Sequence, residues 1–172
     1  MPELNKDELT KLAEKKAEET IEALKAKGKK LALAESCTAG MISALLANTG
    51  GASQFLWGSF VCYTQEAKVS MLGLDNEKLN ACGLINEETS VSMARGALQK
   101  SGADIAASVT GLAGAGGDDR GTPVGTVWIA AALKNGKTEA RGFHFSGSRN
   151  IVRIQAAIAV LDLIMEFISL SA

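Results

Sequence analysis

Four short stretches of this 172-residue chain hold side chains from which chemistry could be built. In "GGASQFLWGSFVCYTQEAK", Ser53 lies in a loop before a strand, Tyr63 closes that strand, and Lys68 follows in the first turns of a helix. A serine hydroxyl attacks a carbonyl only when a base takes its proton. No histidine is near in sequence, so the available base is a lysine whose pKa burial has depressed, with the tyrosine hydroxyl as proton relay. The same spacing also describes a loop serine, an interface tyrosine and a solvated lysine. Spacing alone leaves both readings open.

The second stretch is "LALAESCTAGMISALL", where a buried apolar run breaks at Glu35-Ser36-Cys37-Thr38 and helical periodicity begins. Free amides at a helix start point outward, and Ser36 and Thr38 add hydroxyl donors, which suits a phosphate or carboxylate as well as a simple cap. Cys37 in that turn could be a thiolate, with His144, the chain's one histidine, as partner in a Cys-His hydrolase. The third stretch, "SVTGLAGAGGDDRGTPVGT", offers Thr110, Gly111 and backbone amides to an anion. It lacks the G-x-x-x-x-G-K-[ST] spacing of a P-loop, which disfavours a nucleoside triphosphatase. Asp118 and Asp119 have no spaced set of oxygen ligands around them, so no metal is expected. In the fourth, "FSGSRN", Arg149 opens a helix and presents a fork suited to phosphate.

The elements that must position these groups follow from periodicity. Leu9, Leu12, Ala13, Ala17, Ile21 and Leu24 share one helical face, and Gly28 is a natural C-cap, so residues 1–28 carry an amphipathic helix laid on the core. "KKLALAES" and "FLWGSFVCY" read as strands, each followed by a helix, the first running from Thr38 to Leu46. Residues 86–102 form a surface helix, acidic at its start and with Lys100 near its end. "ADIAASV" is a third strand. "VGTVWIAAAL" and "TEARGFHF" flank Asn135-Gly136, a turn pair whose positive φ suits a hairpin. A long amphipathic helix spans residues 148–169. Strands alternating with helices and ending in a hairpin predict an α/β fold: a three-layer α/β/α sandwich on a mixed, mostly parallel sheet, in one domain over 1–172.

Composition narrows the partners. With 47% hydrophobic and 22% charged residues and a formal net charge of −1, the chain lacks the basic surplus of a nucleic-acid or anionic-membrane binder. Neither terminus reads as a signal peptide or membrane span. Cys37, Cys62 and Cys82 are odd in number and unrelated in spacing, as expected of reduced thiols in a cytoplasmic protein. The expected partner is a small molecule, without a cofactor. The long apolar helices are compatible with packing inside one chain or across a homo-oligomer.

Taken in order, "AESCTAG", "GSFVCYTQEAK", "SVTGLAGAGG" with "PVGTVWIA", and "FSGSRN" resemble the C-terminal domain family of competence/damage-inducible protein CinA, from about Lys29 to Ile168. Its standalone members are nicotinamide mononucleotide deamidases. The resemblance implies an amidohydrolase that converts nicotinamide mononucleotide and water to nicotinate mononucleotide and ammonia, in pyridine nucleotide salvage and NAD metabolism. It further implies a serine-lysine mechanism assisted by tyrosine. Carried over by motif, the nucleophile is Ser53, ten residues before Tyr63, with Lys68 as base. Ser36, Thr110 and Arg149 match mononucleotide-binding positions, and on physical grounds Thr38 and Gly111 join them. Two other classes stay open: a non-catalytic nucleotide- or partner-binding module, which would bind without turnover, and a Cys37-dependent hydrolase, which would lose activity in Cys37→Ser.

Overall fold

The computed structural model describes residues 5–171. Their elements run α1 (Lys6–Lys27), β1 (Leu31–Glu35), α2 (Met41–Ala47), a 3₁₀ turn (Ala52–Gln54), β2 (Leu56–Val61), α3 (Gln65–Leu72), α4 (Asn76–Cys82), α5 (Glu87–Ser101), β3 (Ile105–Gly111), β4 (Thr126–Leu133), β5 (Thr138–His144) and α6 (Arg149–Leu170). The five strands form one sheet in the order β2-β1-β3-β4-β5. β2, β1 and β3 pair in parallel, and β3, β4 and β5 pair antiparallel.

Side-chain alternation along the strands divides the core. Leu31, Leu33, Ile105, Val109 and Ile129 point to one face, where they meet Ile21 and Leu24 of α1, Ile42 and Leu46 of α2, and Val160, Leu161 and Phe167 of α6. The opposite face is nearly all alanine: Ala32, Ala34 and Ala106 under α3, α4 and α5, with Ala130 and Ala132 against Ala94 of α5. Small side chains there let the second helical layer come close to the sheet. Gly96 of α5 packs so tightly that a Cβ would stand 2.6 Å from the Leu72 carbonyl oxygen.

Local signals set the helix ends. Asn5 and Glu8 form a capping box at the start of α1, and Gly28, in the left-handed region, ends it. Thr64, Asp75 and Asn86 cap α3, α4 and α5 through their side chains. Because β1, β2 and β3 run the same way, their carboxyl ends lie together along one rim of the sheet. That rim is where open α/β sheets form ligand crevices.

Candidate active site

At the rim, β1 runs out into Ser36, β2 into Cys62 and Tyr63, and β3 into Thr110 and Gly111. β1 residues alternate in face: Glu35 points toward α2, and Ser36 points to the alanine face under α3. Lys68 reaches the same place from the first turns of α3. Its Nζ lies 2.9 Å from Ser36 Oγ and donates there and to the Cys62 carbonyl, also at 2.9 Å. The lysine is only 1% exposed and Ser36 7% exposed. Burial lowers the Lys68 pKa from the ordinary value of 10.5, against a smaller opposing influence of the Cys62 and Cys37 thiols. No carboxylate accepts a hydrogen bond from this amine among the described residues. Burial thus shifts the balance toward a neutral amine beside a serine hydroxyl, the direction that nucleophilic catalysis with a lysine base requires.

These groups face a cavity of about 150 Å³ lined by Tyr63, Leu84, Ile85, Thr110, Leu112 and Arg149 as well as by Ser36, Cys37 and Lys68. Larger cavities of about 570 and 240 Å³ lie along α5 and contain neither Ser36 nor Lys68. Thr110 Oγ1 donates to the Leu84 carbonyl at 2.7 Å, so this hydroxyl fixes the cavity wall. Gly111 presents bare backbone, because a Cβ would sit 2.7 Å from the Thr126 carbonyl oxygen. Arg149, the first residue of α6, is exposed at the mouth, and its Nη2 donates to the Tyr63 hydroxyl at 3.1 Å. Tyr63 is 53% exposed and bonded to Arg149 at the mouth of the cavity.

Three sequence expectations change here. Ser53 occupies the exposed 3₁₀ turn before β2, while Tyr63 and Lys68 follow its far end. The six residues of β2 separate them by roughly 20 Å along the strand. Within this chain Ser53 does not meet Lys68, and Ser36 does. Thr38 does not face the cavity either. It is fully buried, and its hydroxyl donates to Glu35 at 2.8 Å. The carboxylate of Glu35 also accepts from Ile42 N, Ser43 N and Ser59 Oγ at 3.1, 2.9 and 3.1 Å. The start of α2 does bind an anion, as the junction suggested, but the anion is the chain's own Glu35. Finally, burial pushes the Cys37 thiol up to about 11, so it is not a thiolate. His144 stands at the exposed end of β5, three strands across the sheet from β1, or about 14 Å.

Sequence reasoning passed over Glu35 and Arg153. Arg153 of α6 donates through Nε to the Cys37 carbonyl at 3.1 Å and through Nη2 to the Thr38 carbonyl at 2.6 Å. Together they hold the turn that carries Ser36. The signal for Glu35 was a charge ending an otherwise apolar buried strand. Arg153 had no comparable signal.

Comparisons with known proteins identify the family and its fold. Residues 13–168 match the model of the CinA C-terminal domain. A CinA-like protein of Syntrophomonas wolfei is 40% identical over 137 residues, which cover 80% of this chain and 33% of that protein. The chain thus spans about a third of the length of such CinA-like relatives. A protein of Enterobacter agglomerans named nicotinamide-nucleotide amidohydrolase PncC is 41% identical over 140 residues, 81% of this chain and 85% of that one. Among solved structures, a CinA superfamily protein from Klebsiella pneumoniae superposes with a TM-score of 0.87 at 32% identity, covering 91% of this chain and 98% of its own. An Agrobacterium tumefaciens competence/damage-inducible protein does so at 0.87 and 33%, covering 90% and 94%. With its fold and residues 13–168 matched, the chain belongs to the CinA C-terminal domain family.

Proposed function

We propose that this protein is a serine amidohydrolase that converts nicotinamide mononucleotide and water to nicotinate mononucleotide and ammonia, with Ser36 as nucleophile and Lys68 as its base. The observation that carries the reading is the 2.9 Å approach of a buried lysine amine, depressed in pKa, to a serine hydroxyl inside a cavity. The relative named as an amidohydrolase of this nucleotide supplies the substrate class.

The chemistry follows from the two groups. Neutral Lys68 takes the Ser36 proton as Oγ attacks the carboxamide carbon, whose electrons the pyridinium ring withdraws. The tetrahedral oxyanion collapses by expelling ammonia, which leaves with the proton carried by Lys68. The resulting acyl-serine ester is cleaved by a water molecule activated by the same amine, which regenerates the hydroxyl. Backbone donors at the rim stabilise the oxyanion, each such donor being worth about 3 kcal/mol in comparable sites. Arg149 takes the substrate phosphate at the mouth, in exchange for its bond to Tyr63, and the freed tyrosine hydroxyl is then available to the ribose or phosphate. Thr110 and Gly111 form the wall against which the ring lies.

An ammonia-release assay comparing nicotinamide mononucleotide with free nicotinamide tests the reading. Turnover of the mononucleotide with little or none of nicotinamide is expected, because only the former reaches Arg149. Absence of ammonia from both would remove the proposal.

A further inference from the structure

Residues 113–122 hang from a closed neck. At its base Gly125 N donates to the Leu112 carbonyl at 2.7 Å and Leu112 N to the Thr126 carbonyl at 2.9 Å. The tip is shaped internally by Asp118, whose carboxylate accepts from Arg120 N, Thr122 N and Thr122 Oγ1 at 3.1, 2.8 and 2.5 Å. Among the described residues, hydrogen bonds from this segment to the rest of the chain come from one side chain. Arg120 donates through Nη1 to the Ala81 carbonyl at 3.1 Å and through Nη2 to the Asn80 carbonyl.

Those two carbonyls belong to the last turn of α4, where no intrahelical donor remains. Leu79 O is met by Gly83 N, and Cys82 O by Asn86 Nδ2 at 2.9 Å, so Arg120 completes the turn and sits at the negative end of the helix. Gly83 makes room for it: a Cβ there would lie 2.9 Å from Arg120 Cδ. The segment in this way bridges from the end of β3 to the end of α4. Leu112 and Ala113, where the segment leaves β3, line the catalytic cavity, as do Leu84 and Ile85, just past α4. Beyond Leu84 and Ile85 lies a second cavity of about 530 Å³, bordered by Asn80, Gly83, Asp118 and Arg120.

The cavity of about 150 Å³ is small against the roughly 300–1,000 Å³ of ordinary small-molecule sites. The bridge is lightly held. Its bonds to α4 are exposed, so water replaces them readily. Gly116, Gly117 and Gly121 take positive φ of 130°, 65° and 72°, which marks a segment free of side-chain restriction at its bends.

We propose that residues 113–122 are a strap at the edge of the catalytic cavity, that Arg120 is its latch on the C-terminal carbonyls of α4, and that release of Arg120 admits the substrate. The identity of what is admitted rests on the amidohydrolase reading, whereas the latch itself does not. Cys37 lines the cavity and Cys62 is buried within the core, so the two thiols separate strap opening from general loosening. The intact protein would be treated with methyl methanethiosulfonate, a small neutral thiol reagent, and each cysteine followed by peptide mass mapping. Arg120→Ala is expected to raise the modification rate of Cys37 about tenfold while leaving Cys62 unchanged. Arg120→Lys, which keeps the charge but offers a point donor where the fork spanned two carbonyls, is expected to fall between. A Cys37 rate equal in parent and Arg120→Ala, or a rise shared equally by Cys62, would overturn the latch. If instead the labelling difference appears and the protein releases no ammonia, the latch stands and the catalytic reading fails.

Discussion

Replacing Ser36 with alanine is expected to lower kcat for ammonia release by about 10⁴-fold or more, the scale seen when a nucleophile is removed from a unit that acts together. Ser53→Ala is expected to stay within about threefold of the parent, as for exposed positions away from the chemistry. The contrast is demanding because the family resemblance implies Ser53, and the geometry favours Ser36. Ser36 Oγ stands 2.9 Å from a buried amine, whereas Ser53 sits in an exposed turn at the other end of β2. Ser36→Ala removes one oxygen and leaves the Glu35 network and the Arg153 contacts with the 37–38 carbonyls intact. Unchanged thermal stability beside lost activity is therefore the expected signature. Substantial turnover in Ser36→Ala would transfer the nucleophile elsewhere.

The second large effect belongs to Lys68. Lys68→Met fills the space with no base, and Lys68→Arg keeps the charge on a group that does not deprotonate. Both are expected to lose about 10³-fold in kcat, within the range for removal of a general base. The pH dependence has a definite sign. Burial holds the Lys68 pKa below 10.5, and only the unprotonated amine accepts the serine proton. Activity should rise with pH through this lowered pKa and reach a plateau while free lysines are still protonated. In Lys68→Ala, small amines such as methylamine should restore part of the rate as their neutral fraction grows, and the acid limb of the parent profile should be gone. A parent profile that is flat, or that falls through the same range, would count against a lysine base.

How much of this was legible in the sequence depends on whether a feature is local. Gly28 after an apolar helical face ended α1, and Asn135-Gly136 between two apolar runs gave the β4–β5 hairpin, because the caps and turns are encoded in adjacent residues. The layered fold followed from alternation of strands and helices. The short helix α4 escaped, since seven residues after a glycine-bounded loop carry little periodicity. The family resemblance singled out Lys68, but its hydrogen-bond partner Ser36 was not legible. Ser53 is 15 positions from Lys68 in sequence and Ser36 is 32 positions away, yet the parallel pairing of β1 with β2 sets Ser36 beside it. Register across a sheet is a property of the whole fold, so no local spacing reports it.

The anion seat shows the same limit. Reading "AESCT" as a helix start that binds an anion was correct chemistry, with the wrong anion. The pleat turns Glu35 toward α2 and Ser36 toward α3, so one residue satisfies the helix while the next faces the cavity. Thr38 then belongs to the support of the turn and not to the ligand. Its hydroxyl, like that of Thr110, is already committed to a partner within the chain.

The most direct test of the account is to catch the acyl-enzyme. Protein quenched in acid during turnover of nicotinamide mononucleotide, then digested and mapped by mass spectrometry, should carry the substrate's acyl group as an ester on the peptide containing Ser36. The adduct should be absent from Ser36→Ala and present in Ser53→Ala. An acyl group found on Ser53 or on Cys37 would contradict the account.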